Sequence, residues 1–133
     1  MDVKIQWQQG EFAARNQKGS VVKFSDGSSD AITPMEALLM AVGSCSGIDV
    51  VSTLEKMRQP VNGLEIEVSG QRRQDHPKYF EKITVKYIIR GQVEEAKARR
   101  AIELSLGKYC SVSNALEPKA QVDYVLEILG ETS

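Results

Sequence analysis

The fold of this chain is decided by residues 33–58, which read TPMEALLMAVGSCSGIDVVSTLEKMR. Thr33 suits the N-cap of a helix, and Pro34 suits the first helical position, where its missing N–H loses no hydrogen bond. Glu36 follows Thr33 by three residues and completes a capping box. The pattern therefore predicts one long helix that begins at Pro34 and ends near Arg58.

The predicted helix is longer and more apolar than a chain of this size can bury alone. Its 25 residues would extend roughly 37 Å. The radius of gyration expected for 133 residues is only about 14 Å. Residues 37–42 are apolar on every face of the helix, and such a helix must be covered on all sides. We therefore expect a second subunit to cover part of it.

The middle of the predicted helix carries a small-residue run, GSCSG at positions 43–47, centred on Cys45. Glycine weakens a helix interior by about 1 kcal/mol relative to alanine, so two glycines here predict a break or a bend. A bend would leave free backbone N–H groups beside Cys45, and helix N-termini favour thiolates.

Shorter periodic segments flank the helix and complete the chain. The predicted strands are Val3–Gln8, Phe12–Arg15, Ser20–Phe24, Leu64–Ser69, Ile83–Arg90 and Ala120–Leu129, with a second helix at Gln92–Leu106 and a short helix after Cys110. The order βββ–α–ββ–α–(short α)–β groups strands and helices, which predicts an α+β fold with antiparallel sheet. The length predicts one domain over residues 1–133.

Composition argues against several classes of protein. A net charge of -1 gives no general basic field, so we expect no nucleic-acid partner. We find no apolar stretch of the roughly 18 residues that span a bilayer, and residues 1–10 do not resemble a signal peptide. We therefore expect a cytoplasmic protein with no membrane partner.

The residues that could carry chemistry are few. The chain has two cysteines and one histidine. A zinc site made from Cys45, Cys110 and His76 would still need a carboxylate, so we expect no metal. His76 precedes Pro77 in a polar segment and is interpreted as a solvated loop residue.

The two thiols therefore carry the chemical hypothesis. Cys45 lies in the predicted break and Cys110 precedes the short helix, so the two could act as an attacking and a resolving thiol. The alternative is that both are inert buried residues. Arg15 ends an apolar strand and is either a cationic partner for a thiolate or a solvated arginine. Asp49, one helical turn after Cys45, is interpreted as a polar contact of the helix.

Two stretches resemble motifs of the OsmC/Ohr family. Residues 33–45, TPMEALLMAVGSC, resemble the central-helix motif, and residues 108–116, KYCSVSNAL, resemble the second cysteine motif. The order of elements and the spacing of the cysteines also fit. The resemblance implies an OsmC-like fold, with a long central helix packed against antiparallel sheets in an intertwined homodimer.

The resemblance also implies an activity. It implies a thiol peroxidase that reduces organic hydroperoxides in oxidative-stress defence, with no metal and no bound organic cofactor. Cys45 would be the peroxidatic thiol and Cys110 the resolving thiol. An external dithiol would reduce their disulfide. Arg15 would be the thiolate partner, and Glu36, one residue after the position of the family glutamate that holds such an arginine, is a further candidate for the site.

The sequence departs from the family pattern in two places. Met35 stands where family members have the glutamate, and Glu36 comes one residue later, about 100° further round the helix. Ser111 stands where the second motif has proline. The alternative function is a non-catalytic OsmC-like dimer that binds a small apolar ligand in its interface cleft, lined by Met35, Met40 and Met57.

Overall fold

The computed structural model describes residues 1–130 and divides into two compact units, Met1–Leu38 and a second unit that begins at Leu39. The single domain expected over residues 1–133 stays a prediction. The elements are β1 (Val3–Gln8), β2 (Glu11–Asn16), β3 (Val21–Ser25), α1 (Pro34–Lys56), β4 (Gly63–Arg72), β5 (Phe80–Arg90), α2 (Glu95–Leu104), a π turn (Ser105–Tyr109), α3 (Ser111–Leu116) and β6 (Gln121–Leu129). The α+β class and the predicted order of elements are confirmed.

The first unit is an antiparallel sheet in the order β1-β2-β3. Ile5 pairs with Ala14, and Trp7 pairs with Phe12, so these side chains share one apolar face. Trp7 is 61% exposed, although its indole Nε1 donates to Asp26 at 2.9 Å. Large apolar side chains are therefore left open to solvent on this sheet in the single chain.

The second unit contains a three-stranded sheet in the order β4-β5-β6. β4 and β5 pair antiparallel, whereas β5 and β6 pair parallel, so the purely antiparallel sheet of the prediction is wrong in this detail. The segment between β5 and β6 holds two helices, and a crossover of this length is what parallel pairing requires. The core centres on β5, where Ile83, Val85, Tyr87 and Ile89 are fully buried.

α1 is one continuous helix, so the predicted break around Cys45 is wrong. The glycines serve a close approach between α1 and β4 instead. A Cβ atom on Gly43 would lie 3.0 Å from Val68 Cγ2, and one on Gly47 would lie 2.9 Å from Ile66 Cδ1. Packing of the glycine faces against β4 therefore offsets the low helix propensity of glycine.

The expectation that no segment is long and apolar enough to span a bilayer is wrong for α1. By length and composition it could cross a bilayer, with a mean hydropathy of 1.6 in its most apolar window, of which 33% is buried. The core helices of water-soluble proteins meet the same criterion. Much of this apolar helix is therefore left uncovered in the single chain.

The segment between α2 and α3 differs from the prediction in its geometry. The second helix was predicted over Gln92–Leu106, but α2 covers Glu95–Leu104 and continues into the π turn. The backbone N–H of Cys110 donates to the carbonyl of Ser105 at 2.7 Å, which closes this turn. π turns inside helices are frequent at functional sites, and this one leads directly to the second cysteine.

Candidate functional site: two neighbouring thiols

Two cysteines that lie far apart in the sequence are neighbours in the second unit. Cys45 is half-buried in the middle of α1, and Cys110 is fully buried at the N-cap of α3. The Cys45 side chain is within interaction range of the Cys110 thiol, on which it acts through hydrogen bonding and charge. The helix-start setting predicted for Cys110 is confirmed. The one predicted for Cys45 is wrong, because α1 continues through this residue.

Cys110 is fixed by hydrogen bonds on both sides of its peptide unit. Its carbonyl accepts a bond from Asn114 Nδ2 at 2.8 Å, and Asn114 also donates to the Leu106 carbonyl at 3.1 Å. The Sγ atom accepts from the backbone N–H of Ser113 at 3.4 Å. Both the backbone and the thiol of Cys110 are therefore held in one position.

Burial is the main cause that raises the pKa of the Cys110 thiol. The bonds from Ser113 act in the opposite direction and lower this pKa, whereas the neighbouring Cys45 raises it further. The Cys110 thiol is therefore harder to ionise than an ordinary cysteine.

A buried polar network lies beside the two thiols. Ser46 Oγ bonds to the Tyr87 hydroxyl and, at 2.8 Å, to Ser105 Oγ. Ser105 Oγ donates to Asp49 Oδ2 at 2.9 Å. Burial raises the pKa of Tyr87 to about 12, with the Ser46 bond lowering it and charge on Cys110 and Asp49 raising it. Tyr87 is therefore a neutral hydroxyl at physiological pH.

Ser46, Tyr87 and Ser105 were missed by the sequence analysis. Ser46 occupies a core-facing position of α1, and Tyr87 takes one place in the buried alternation of β5. Polar side chains at core-facing positions need buried hydrogen-bond partners. The place of Ser46 and Tyr87 in the apolar pattern was therefore the sequence signal that could have identified them. Asp49 was interpreted as a contact within its own helix, but its partner is Ser105, across the unit.

Two predicted site residues belong to the first unit. Arg15 is exposed on β2, where it pairs with Lys4 of β1. Glu36 forms the predicted capping box: its carboxylate accepts from the Thr33 backbone N–H at 2.9 Å and from Thr33 Oγ1 at 3.0 Å. The backbone N–H of Thr33 is the main cause that lowers the pKa of Glu36. Glu36 therefore has a structural partner, while the thiolate-partner role of Arg15 stays a prediction.

The remaining sequence candidates have simpler surroundings. His76 is exposed in the connection between β4 and β5, as expected for a loop residue. Within residues 1–130, no group of three or more His, Cys, Asp and Glu side chains could hold a metal ion. Met35 and Met57 are half-buried and Met40 is exposed.

Known proteins resemble this chain in both sequence and fold. The sequence model of the OsmC-like protein family matches residues 26–125. Protein YhfA from Escherichia coli K12 is 36% identical over 132 residues, which cover 97% of this chain and 98% of the relative. The crystal structure of a hypothetical protein from Aquifex aeolicus VF5 matches with a TM-score of 0.90 and 35% identity, covering 98% of this chain and 97% of that one.

More distant structures share the fold alone. The crystal structure of an organic hydroperoxide resistance protein OsmC from Legionella pneumophila matches with a TM-score of 0.73 at 12% identity, covering 95% of each chain. The predicted resemblance to the OsmC/Ohr family is thus confirmed, because the family model covers most of the chain. The chain belongs to the OsmC-like protein family.

Proposed function

We propose that this protein is a cysteine-based thiol peroxidase that reduces organic hydroperoxides in oxidative-stress defence. Family membership and neighbours named for hydroperoxide resistance suggest a redox role. The observation that carries the finer proposal is the pairing of a half-buried Cys45 with a fully buried neighbour, Cys110. An accessible thiol beside a buried one supports a first attack by Cys45 and a later reaction of Cys110 with its oxidised product.

Cys45 is the proposed attacking thiol because it is the more accessible of the two. Its thiolate attacks the outer oxygen of the hydroperoxide, and the O–O bond breaks. The sulfur takes the hydroxyl and becomes a sulfenic acid, while the remaining oxygen takes a proton and leaves as an alcohol. The peroxide is reduced by two electrons, which Cys45 supplies.

Cys110 is the proposed resolving thiol. Its sulfur attacks the sulfenic sulfur of Cys45, an S–S bond forms, and the displaced hydroxyl leaves as water with the Cys110 proton. An external dithiol then reduces the disulfide and is itself oxidised, which restores both thiols. These steps use no metal and no bound organic cofactor.

The proposed working unit is a homodimer. In the single chain, Ile48 on α1 is 71% exposed and Met40 is 54% exposed, and β1 also presents large exposed apolar side chains. Apolar surface of this extent favours burial against a second copy. Arg15 is kept as the proposed thiolate partner. Glu36 is proposed to contribute indirectly, by capping the N-terminus of the helix that carries Cys45. A cytoplasmic location suits two free cysteines.

The experiment that tests the proposed activity is intact mass and free-thiol titration after brief treatment with one equivalent of cumene hydroperoxide. We expect both thiols to disappear and the mass to fall by about 2 Da, from the loss of two hydrogens in disulfide formation. The matched control is cumyl alcohol, which has the same shape but no O–O bond. Unchanged thiols with the hydroperoxide would contradict the peroxidase and favour the non-catalytic apolar-ligand dimer.

A further inference from the structure

The two segments that carry the cysteines are joined by a pair of serine hydroxyls. Ser46 directly follows Cys45 on α1, and Ser105 opens the π turn that ends before Cys110. Their Oγ atoms are 2.8 Å apart, and both serines are fully buried. We call this bond, with its end groups Tyr87 and Asp49, the serine clasp.

The direction of every bond in the serine clasp follows from the chemistry of its ends. Ser105 Oγ donates its single proton to the carboxylate oxygen Asp49 Oδ2. Ser105 must then accept from Ser46, and Ser46 must accept from the Tyr87 hydroxyl. The chain therefore has one orientation, and chains of aligned hydroxyls strengthen one another.

Ser105 connects the clasp directly to the resolving cysteine. Its side chain bonds to Ser46, while its carbonyl accepts the backbone N–H of Cys110 at 2.7 Å. A single residue thus links the neighbour of Cys45 to the peptide unit of Cys110. Movement of Ser105 away from α1 would carry Cys110 away from Cys45.

We propose that Ser46 and Ser105 are positioning residues for the thiol pair, and that the serine clasp sets the rate at which Cys45 and Cys110 close a disulfide. This inference rests on the proposed redox pairing of the two cysteines, but not on hydroperoxide as the oxidant. Small misplacements of reacting groups cost up to about a hundredfold in rate. The clasp is placed where a loss of contact would produce such a misplacement.

The test uses an oxidant that is independent of peroxidase activity. Diamide takes two electrons and two protons from the thiols of Cys45 and Cys110, and their sulfurs form the S–S bond. We expect Ser46→Ala and Ser105→Ala to slow this closure by about ten- to a hundredfold. The matched control is Ser44→Ala, since Ser44 flanks Cys45 on its other side but is exposed and bonds only to carbonyls of its own helix.

Three further measurements separate positioning from general destabilisation. Alkylation of Cys45 should keep its rate when Ser46→Ala is combined with Cys110→Ser, because the first thiol itself is untouched. In equilibrium with glutathione, the equilibrium constant for forming the disulfide should be at least about tenfold lower in the alanine variants than in the wild type. Ser105→Thr keeps the hydroxyl and should recover most of the closure rate.

The outcomes are decisive in either direction. Closure at the wild-type rate in Ser46→Ala and Ser105→Ala overturns the proposal, even if both variants melt at a lower temperature. If Ser105→Ala does not fold, Asp49→Ala removes the half-buried end of the clasp and should slow closure to a smaller degree. If the wild-type protein forms the Cys45–Cys110 disulfide with diamide but not with cumene hydroperoxide, the proposed peroxidase activity is contradicted. The diamide rates of the variants still decide for or against the serine clasp.

Discussion

Cys45 and Cys110 are neighbours held by different kinds of interaction. Cys45 is held by packing, since the glycines two residues before and after it let α1 approach β4 closely. Cys110 accepts hydrogen bonds from Asn114 and Ser113, and its backbone N–H donates to the Ser105 carbonyl. Packing fixes a helix axis, whereas directional hydrogen bonds fix a single peptide unit.

This difference supports different proposed roles for two identical side chains. Cys45 keeps part of its surface exposed on α1, so a substrate can approach it. Cys110 has none exposed, and burial raises its pKa. A buried protonated thiol beside an accessible one is suited to resolution and unsuited to first attack.

The largest effect is expected from exchanging each sulfur for oxygen. Cys45→Ser should reduce consumption of cumene hydroperoxide by about a thousandfold or more, to the uncatalysed background, because a serine hydroxyl is a poor nucleophile without an adjacent base. Cys110→Ser should still complete one turnover and accumulate a sulfenic acid at Cys45. Peroxide consumption and dimedone trapping distinguish the two variants. Identical results for both variants would contradict the proposed order of attack.

The next effect concerns the ionisation of Cys110. At pH 7 to 8 we expect iodoacetamide to modify Cys110 at least about tenfold more slowly than Cys45, because alkylation needs an accessible thiolate. Since the pKa of Cys110 is raised, its rate should go on rising with pH beyond the range in which an ordinary thiol has fully ionised. Peptide mass spectrometry of the single-cysteine variants measures both rates. Faster labelling of Cys110 at neutral pH would reverse the comparison.

The smallest effect concerns the packing that holds Cys45. Gly47→Leu should lower the free energy of unfolding by about 1 to 3 kcal/mol, because the added side chain meets Ile66, whose Cδ1 would already lie 2.9 Å from a Cβ atom. Lys56→Leu near the exposed C-terminal end of the same helix is the matched control and should change stability little. Denaturant unfolding measures both. An unchanged midpoint for Gly47→Leu would mean that helix packing does not fix Cys45.

Much of the fold follows from local patterns in the sequence. The capping box at Thr33 and Glu36 marks the start of α1 because it depends on groups three residues apart. The strands of the first unit follow from their alternation, and β1 covers the predicted residues Val3–Gln8. The parallel pairing of β6 could not be predicted in this way, because strand direction depends on how a long crossover returns to the sheet.

The glycines around Cys45 show why local reasoning fails at the site. Two glycines in five residues weaken an isolated helix, and the predicted bend followed from this propensity alone. In the folded chain, β4 packs on these positions and α1 stays continuous. Tertiary contacts outweigh a propensity of about 1 kcal/mol per residue.

The sequence by itself determined the elements, the α+β class, the capping of α1 and the choice of Cys45 and Cys110 as the chemical groups. These depend on residues a few positions apart or on composition. The tertiary structure alone decided that the two thiols are neighbours, that one is buried, and that Ser46 and Ser105 join their segments. Burial and contact between positions 59 residues apart arise only when the whole unit packs.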